Sequence, residues 1–199
     1  MHLARNAFAL FPVVLALVGC DESDLVSIRI RLNKDYSGTL VTSGLMIPAE
    51  PSALERASHG VAWRDRLQVI GASGAFDNVA KLSIEDIVFS CGGGSDGPSY
   101  VTINVPRGPQ ARWVRALAPL SLDERKRATE IFDPTGKVKE LGSLVKLQID
   151  FPGPVIAHGV SPSPTGCKEE AEEARATLVV SVETALSQGG VLVWQLTWR

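Results

Sequence analysis

The clearest pattern near the start of the chain is an alternation of apolar and polar residues. Its apolar members are Val26, Ile28, Ile30 and Leu32, and a polar residue separates each from the next. Since successive side chains of a strand point to opposite faces of a sheet, this pattern predicts a strand with one buried face. Residues 34–38 have turn composition, and Thr39 to Ile47 predicts a return strand. Together these segments predict a β-hairpin.

The last third of the chain shows the same alternation. Its first predicted strand has apolar residues at every second position from Val145 to Phe151, and Val155 to His158 follows after a Pro-Gly-Pro break. Ser161 to Glu173 is polar and rich in proline, which favours a long exposed loop. Thr177 to Glu183 and Val191 to Trp198 predict a closing hairpin. We expect the first and last hairpins to share one sheet.

The middle of the chain has a less regular pattern. The apolar residues of segments 82–84 and 87–89 have opposite parity, so both face one core only if a bulge falls at 85–86. Residues 91–99 predict a Gly-rich hairpin loop, and Tyr100 to Val105 predicts the strand after it. A phosphate-binding loop would instead need a helix behind it and often a lysine.

Helical signals are confined to the middle of the chain. Ser52 to Ala57 predicts a short helix, and Trp63 to Ala75 fits a helix or a strand. Trp113, Val114 and Leu117 lie on one apolar face of a helix until Pro119 stops it, and a capping box at Ser121 predicts a second helix ending near residue 133. We therefore predict an α+β fold, an antiparallel sheet of hairpins with two or three helices packed on one face.

The first twenty residues have the pattern of a secretory signal. Arg5 precedes the apolar stretch Ala7–Val18, and the segment ends in Leu17-Val18-Gly19-Cys20. Residues 7–19 would form about 20 Å of helix, which is too short for a hydrocarbon core of about 30 Å. The cysteine after small residues resembles the lipobox of bacterial lipoproteins. Cys20 is therefore the predicted site of lipidation, by fatty acyl chains such as palmitate.

This interpretation divides the chain and predicts its location. Residues 1–19 are the cleaved signal, 20–25 a short tether and 26–199 a single α+β domain. Several acyl chains hold a protein on a membrane stably, whereas one binds marginally. We expect an extracytoplasmic protein anchored to a bacterial membrane. An acidic residue at the position of Asp21 is associated in enteric bacteria with retention at the inner membrane, which favours its periplasmic face.

Charge narrows the classes of partner. Arg5 is the one charged residue of the signal, so the mature chain has 19 basic and 22 acidic groups, a net charge of −3. Such a balance gives no basic patch for nucleic acid and no polybasic patch for anionic lipid. We expect no nucleic-acid partner and a membrane attachment that depends on acyl chains. The oligomeric state is left open.

The order of these features resembles the LppM-like family of bacterial envelope lipoproteins. The motifs that carry the resemblance lie at both ends of the chain: Cys20, Ile28 to Leu32, Asp35, Ser37-Gly38, Phe151-Pro152-Gly153-Pro154-Val155 and Val193-Trp194-Gln195-Leu196. The resemblance implies a bacterial lipoprotein with an α+β domain, interactions with lipid or the envelope, and no established enzymatic activity.

Cysteines and tryptophans give two further hypotheses. Cys91 and Cys167 lie in Gly/Ser/Pro-rich segments, so a disulfide is one interpretation in an oxidising compartment and two free thiols the other. Trp63 and Trp113 lie beside helical segments, where they either fill the core or line an apolar pocket between sheet and helices. The pocket would take an apolar or amphipathic ligand near the membrane.

Catalytic and metal-binding residues are few. Only His59 and His158 remain after signal removal, and neither has a Gly-x-Ser-x-Gly motif beside it. The acidic run at 169–173 lacks the pattern of a calcium loop and is predicted to be a solvated face. We predict no catalytic site, metal or cofactor, and a non-enzymatic envelope module that binds lipid, a glycan or a protein partner. The alternative is an envelope-associated hydrolase that uses His59 or His158.

Overall fold

The computed structural model describes residues 23–46, 60–63, 67–93, 97–117, 123 and 141–199. The predicted signal, Cys20, and the helix predicted at 52–57 lie outside these residues, as does all but Asp123 of the helix predicted at 121–133. Within the described ranges, no helix is both long enough and apolar enough to cross a membrane.

Most of the described chain is β-strand. The first six strands are β1 (Ser23–Leu32), β2 (Gly38–Met46), β3 (Gly60–Trp63), β4 (Leu67–Phe76), β5 (Ser83–Ile84) and β6 (Ile87–Gly93). The other six are β7 (Ser99–Pro106), β8 (Leu141–Asp150), β9 (Val155–Ser161), β10 (Cys167–Glu172), β11 (Arg175–Ser181) and β12 (Val191–Trp198). The described helical segments are α1 (Arg112–Leu117), α2 (Val182–Leu186) and a 3₁₀ turn at Val79–Lys81.

Seven strands form the first sheet, in the order β10-β11-β8-β1-β2-β4-β3. The predicted hairpin of β1 and β2 is confirmed, with Leu32 opposite Gly38. β1 begins at Ser23 and so takes in part of the predicted tether. On its other side β1 pairs in parallel with β8, and all other pairings in this sheet are antiparallel.

Five strands form the second sheet, in the order β5-β6-β7-β12-β9. The predicted Gly-rich hairpin is confirmed, because β6 pairs antiparallel with β7 up to Gly93 and Ser99. The predicted bulge at 85–86 is wrong. Ile84 pairs directly with Ile87 across a two-residue turn in which Glu85 has φ 55°, so both isoleucines lie on one face despite their opposite parity.

The inner faces of the two sheets share one hydrophobic core, as in a β-sandwich. The alternating residues of β1 and β8 are buried on one side, and those of β7 and β12 on the other. Trp198 of β12 joins the sheets, because its ring lies 5.7 Å from that of Tyr36 and 4.9 Å from that of Phe151. Burial of these apolar faces is the main stabilising contribution.

The predicted α+β class is wrong, because the protein is mostly β and its two described helices are short. The predicted helix at 113–117 exists as α1, where the Asp86 carboxylate accepts from the backbone N–H groups of Arg112 (2.7 Å) and Trp113 (2.8 Å). The ambiguous segment from Trp63 contributes to β3 and β4. What covers the sheet is therefore a second sheet, since each sheet buries its apolar face against the other.

The predicted closing hairpin is also wrong. β11 pairs with β8 and β10 in the first sheet, whereas β12 pairs with β7 and β9 in the second. Between them the Ser181 hydroxyl caps α2 by accepting from the Thr184 N–H (3.1 Å), and the chain changes sheet. The predicted loop at 161–173 contains β10. Alternation indicates which residues face a core, but it does not assign a strand to a sheet.

Candidate functional site

The two ends of the sandwich can be told apart by the strand registers. The entry end is where β1 begins at Ser23, and β11 reaches Ser181 there. The segment before α1 meets α2 at this end, because the Gly108 N–H donates to the Ala185 carbonyl oxygen (2.8 Å). The far end holds the β1–β2 turn, where the Tyr36 hydroxyl donates to the Gly92 carbonyl oxygen. Functional groups can therefore be assigned to an end or a face.

The two predicted disulfide partners are free thiols in the structure. Cys91 lies on β6 of the second sheet, where its Sγ is 3.6 Å from Asn78 Oδ1. Cys167 begins β10 of the first sheet. Burial raises the pKa of the Cys167 thiol, the charge of Glu169 raises it further, and Arg107 opposes the rise. The net effect favours the protonated thiol over the thiolate at Cys167.

Three of the four tryptophans belong to the core. Trp113, Trp194 and Trp198 are buried, and the indole N–H of Trp113 donates to the Pro106 carbonyl oxygen (2.7 Å). Trp63 lies on β3, and its side chain is outside the described set. Trp113 lines neither of the two surface grooves described below. Its position favours the core interpretation over a ligand pocket.

His158 and Glu169 form a contact between the edge strands of the two sheets. His158 Nδ1 on β9 lies 3.2 Å from Glu169 Oε1 on β10, and the same oxygen accepts the indole N–H of Trp194 (2.6 Å). The Glu169 side chain is only 13% exposed. The predicted solvated face is thus only partly correct, because Glu169 points inward while Glu170 and Glu172 are exposed. The other candidate, His59, lies outside the described residues.

The outer face of the first sheet is rich in charge. Its residues on five strands form three rows across the sheet: Glu172-Arg175-Asp150-Arg31-Thr39, Glu170-Thr177-Gln148-Arg29-Val41 and Lys168-Val179-Lys146-Ser27-Ser43. Eight of these fifteen residues are charged. We call this the charged face.

Asp150 is the centre of the ion pairs on the charged face. Its carboxylate lies 2.6 Å from Arg175 Nε and 4.0 Å from Arg29 Nε, and it accepts from the Gln148 amide (3.3 Å). An open groove of about 790 Å³ lies beside it at the far end, and Arg31 and Glu173 contribute to its walls. The charges of this groove are of both signs, so they do not select an anion or a cation.

The outer face of the second sheet carries no charge at the strand positions that the structure describes. Its residues on four strands also form three rows: Gly92-Tyr100-Thr197-Ala157, Ser90-Thr102-Gln195-Gly159 and Val88-Asn104-Val193-Ser161. All twelve are small, hydroxyl, amide, valine or tyrosine side chains. We call this the neutral face. The sequence pattern predicted strands β7 and β12, but it did not identify their outward residues as a candidate site.

Tyr100 lies across the neighbouring strand on the neutral face. A Cβ placed on Gly92 would lie 2.5 Å from the Tyr100 hydroxyl and 2.7 Å from its Cζ, so the ring occupies the space that a side chain would take. Tyr100 is nevertheless 47% exposed. The glycine therefore lets the tyrosine ring lie against the sheet and present a face to solvent.

A groove runs along the other side of the neutral face. It has a volume of about 550 Å³ and lies between β9, with Gly159 and Ser161, and the outward residues of β12, with Gln195 and Thr197. Ala157, Gly159 and Ser161 contribute small side chains to the β9 wall, and His158 also lines the groove. Within the described residues, the side chains of Thr102, Asn104 and Gln195 make no hydrogen bond to another protein group. Their donors and acceptors therefore remain open to a ligand.

The remaining chemistry is sparse. Among the residues that the structure describes, no three His, Cys, Asp or Glu side chains are grouped so as to hold a metal ion.

In comparisons with family models, curated proteins and solved structures, nothing matches this chain. The resemblance to the LppM-like family therefore depends on the sequence motifs alone.

Proposed function

We propose that the protein is a lipid-anchored bacterial envelope lipoprotein, of the kind the LppM-like resemblance implies. In this proposal Cys20 carries the acyl chains, and the β-sandwich is a non-enzymatic module that binds a lipid, glycan or protein partner. The main support is the lipobox-like ending Leu17-Val18-Gly19-Cys20, and β1 begins only three residues after Cys20. Three residues span at most about 11 Å, so a lipid on Cys20 holds the entry end of the sandwich close to the bilayer.

This attachment gives the module an orientation. β1 has ten residues and spans about 30 Å, so the far end stands that distance further from the membrane. The charged and neutral faces then form the sides of the module. Tethering raises the effective concentration of any partner in the same envelope layer without requiring a tight intrinsic affinity. Asp21 favours the periplasmic face of the inner membrane.

Lipidation can be tested by labelling cells with an alkyne analogue of palmitate. We expect label on the wild-type chain and none on Cys20→Ser, which would remain unprocessed or leave the membrane fraction. Cys91→Ser and Cys167→Ser are matched controls and should be labelled like the wild type. Labelling of Cys20→Ser, or its recovery from membranes at the mature mass, would refute the proposal.

Orientation can be tested with fluorophores at the two ends. Gln110 at the entry end and Lys34 at the far end are exposed. In a background with Cys91→Ser and Cys167→Ser, a label on Gln110→Cys should be quenched by nitroxide lipids more strongly than one on Lys34→Cys. Equal quenching, or the reverse order, would contradict a membrane-facing entry end.

A hydrolase remains the second candidate, because His158 has one specific feature of a catalytic base. The Oε1 atom of Glu169 lies 3.2 Å from Nδ1 of His158. A carboxylate in this position orients the imidazole and leaves Nε2 free to contact a substrate. The discriminating measurement is turnover of fluorogenic esters and glycosides by the wild type and by His158→Ala. Turnover lost in a folded His158→Ala would favour the enzyme over the binding module.

A further inference from the structure

We propose that the neutral face binds an electrically neutral glycan chain. This inference rests on the proposed function and names the ligand class of the module. The first argument is charge. About a fifth of the chain is charged, yet none of the twelve outward positions on β6, β7, β12 and β9 is. Phosphate-bearing ligands would need Lys or Arg contacts, which these positions lack.

The second argument is hydrogen-bonding capacity. Asn104 and Gln195 each offer amide donors and a carbonyl acceptor, and Thr102 between them can donate or accept. None of the three side chains is bonded to another protein group within the described residues. Hydroxyl groups of a sugar also donate and accept, so such a ligand can pair with all three. An apolar ligand would instead leave them without partners.

The third argument is the shape of the face. The exposed ring of Tyr100 offers an apolar surface for the C–H side of a sugar ring. The groove along β9 lies two strands away, at a distance of about 10 Å. Its volume of about 550 Å³ is in the range of known ligand sites. An extended chain could therefore contact the ring, the central amides and the groove together.

A protein partner fits this surface less well. The centres of protein interfaces are enriched in aromatic residues, methionine and arginine. The centre of the neutral face is instead Ser90, Thr102, Gln195 and Gly159, with one aromatic residue in a neighbouring row. The composition therefore favours a hydroxyl-rich ligand.

The test is native electrophoresis of the mature, full-length protein in a polyoxyethylene detergent. The gels contain mannan, glycogen, laminarin or arabinogalactan as neutral probes, and polygalacturonate as the anionic comparison. We expect at least one neutral probe to retard the protein. Gln195→Ala and Tyr100→Ala should each raise the apparent Kd about tenfold, which corresponds to the loss of one good contact.

Controls separate loss of binding from loss of fold. Thr177→Ala on the charged face is the matched control and should bind like the wild type. Gln195 is exposed, so its alanine variant should melt like the wild type even if Tyr100→Ala does not. Tyr100→Phe should retain binding, because it keeps the ring.

Three outcomes would overturn the inference: no retardation by any neutral probe, equal retardation of the Gln195→Ala variant, or a stronger effect of polygalacturonate. Self-association that Gln195→Ala abolishes would likewise overturn it by making a second copy the occupant. Palmitate labelling of Cys20 separates this failure from failure of the proposed function. Labelled protein without glycan binding rejects only the glycan inference, whereas unlabelled wild-type protein rejects the anchor.

Discussion

The two outer faces of the sandwich differ far more than the two inner ones. Both inner faces are mostly apolar, and their alternating residues share one core. Outside, the charged face has eight ionic residues among fifteen, whereas the neutral face has none among twelve. The core imposes the same requirement on both inner faces but none on the outer faces, so the outer faces are free to differ.

The edges of the sheets show the same contrast. β10 is an edge strand with Lys168, Glu170 and Glu172 on its outer side, and charges of this kind discourage pairing with another chain. β9 is the edge next to the neutral face, and its main polar contact is between His158 and Glu169. The side chains of β10 thus protect this edge of the first sheet from pairing with another chain. The β9 edge of the second sheet depends instead on its contact with β10.

The largest effect is expected where the inner faces meet. Trp198→Ala removes a buried ring that contacts both sheets through Tyr36 and Phe151, and we expect a loss of about 3–5 kcal/mol in the free energy of unfolding. Urea denaturation measures it. Val41→Ala, at a half-exposed position of the charged face, should change stability by less than about 0.5 kcal/mol. Similar losses in the two variants would contradict a shared core.

A smaller effect is expected at the contact between the edge strands. Glu169→Ala leaves the buried indole N–H of Trp194 without its acceptor and should cost about 1–3 kcal/mol in the free energy of unfolding. Glu169→Gln keeps an oxygen acceptor, so it should cost less. Denaturant unfolding of both variants tests this. If Gln and Ala are equally harmful, the indole hydrogen bond is not what Glu169 contributes.

The ion pairs of the charged face should contribute less again. A double-mutant cycle on Asp150→Ala and Arg175→Ala should give a coupling of about 0.5–1 kcal/mol, because Arg175 is half exposed. The coupling should shrink in high salt, which screens exposed charges. The stability change of Gln195→Ala on the neutral face should not depend on salt. A salt-dependent stability change in Gln195→Ala would contradict the electrostatic difference between the charged and neutral faces.

The smallest effect is expected from pH. The hydrogen bond and the charge of Lys168 lower the pKa of the exposed Glu170 carboxyl below its usual value of 4.5. Its contribution to stability is therefore present above the unfolded pKa and is lost as the pH falls through the folded one. Lys168→Met should move the NMR titration midpoint of Glu170 upward. Thr102→Ala on the neutral face should leave that midpoint unchanged, and an unchanged midpoint in Lys168→Met would contradict the pairing.

The sequence was sufficient for features that neighbouring residues decide. The β1–β2 hairpin, the Gly-rich β6–β7 hairpin and the short helix α1 are confirmed near their predicted positions. Strand β10 was missed because Cys167 to Glu172 has no apolar alternation, and its pairing with β11 makes it a strand. The missed contact of Glu169 has the same cause, since its inward direction follows from that pairing.

The candidate site was only partly within reach of the sequence. The outward residues of β7 and β12 can be recognised as uncharged in the sequence, because they alternate with apolar residues that are buried in the structure. What the sequence could not supply was their neighbours. Tyr100 faces solvent over Gly92 only because β6 pairs with β7 in this register.

By itself the sequence determined which residues of the regularly alternating strands are buried, where the close hairpins turn and where a lipid anchor is predicted. These properties depend on side-chain alternation and on a few adjacent residues. The tertiary structure decided that a second sheet, not a layer of helices, covers the first, and that β11 and β12 belong to different sheets. It alone brought twelve uncharged residues from four strands onto one face. An apolar strand face can be buried against any complementary apolar surface, so only the packed structure selects the partner.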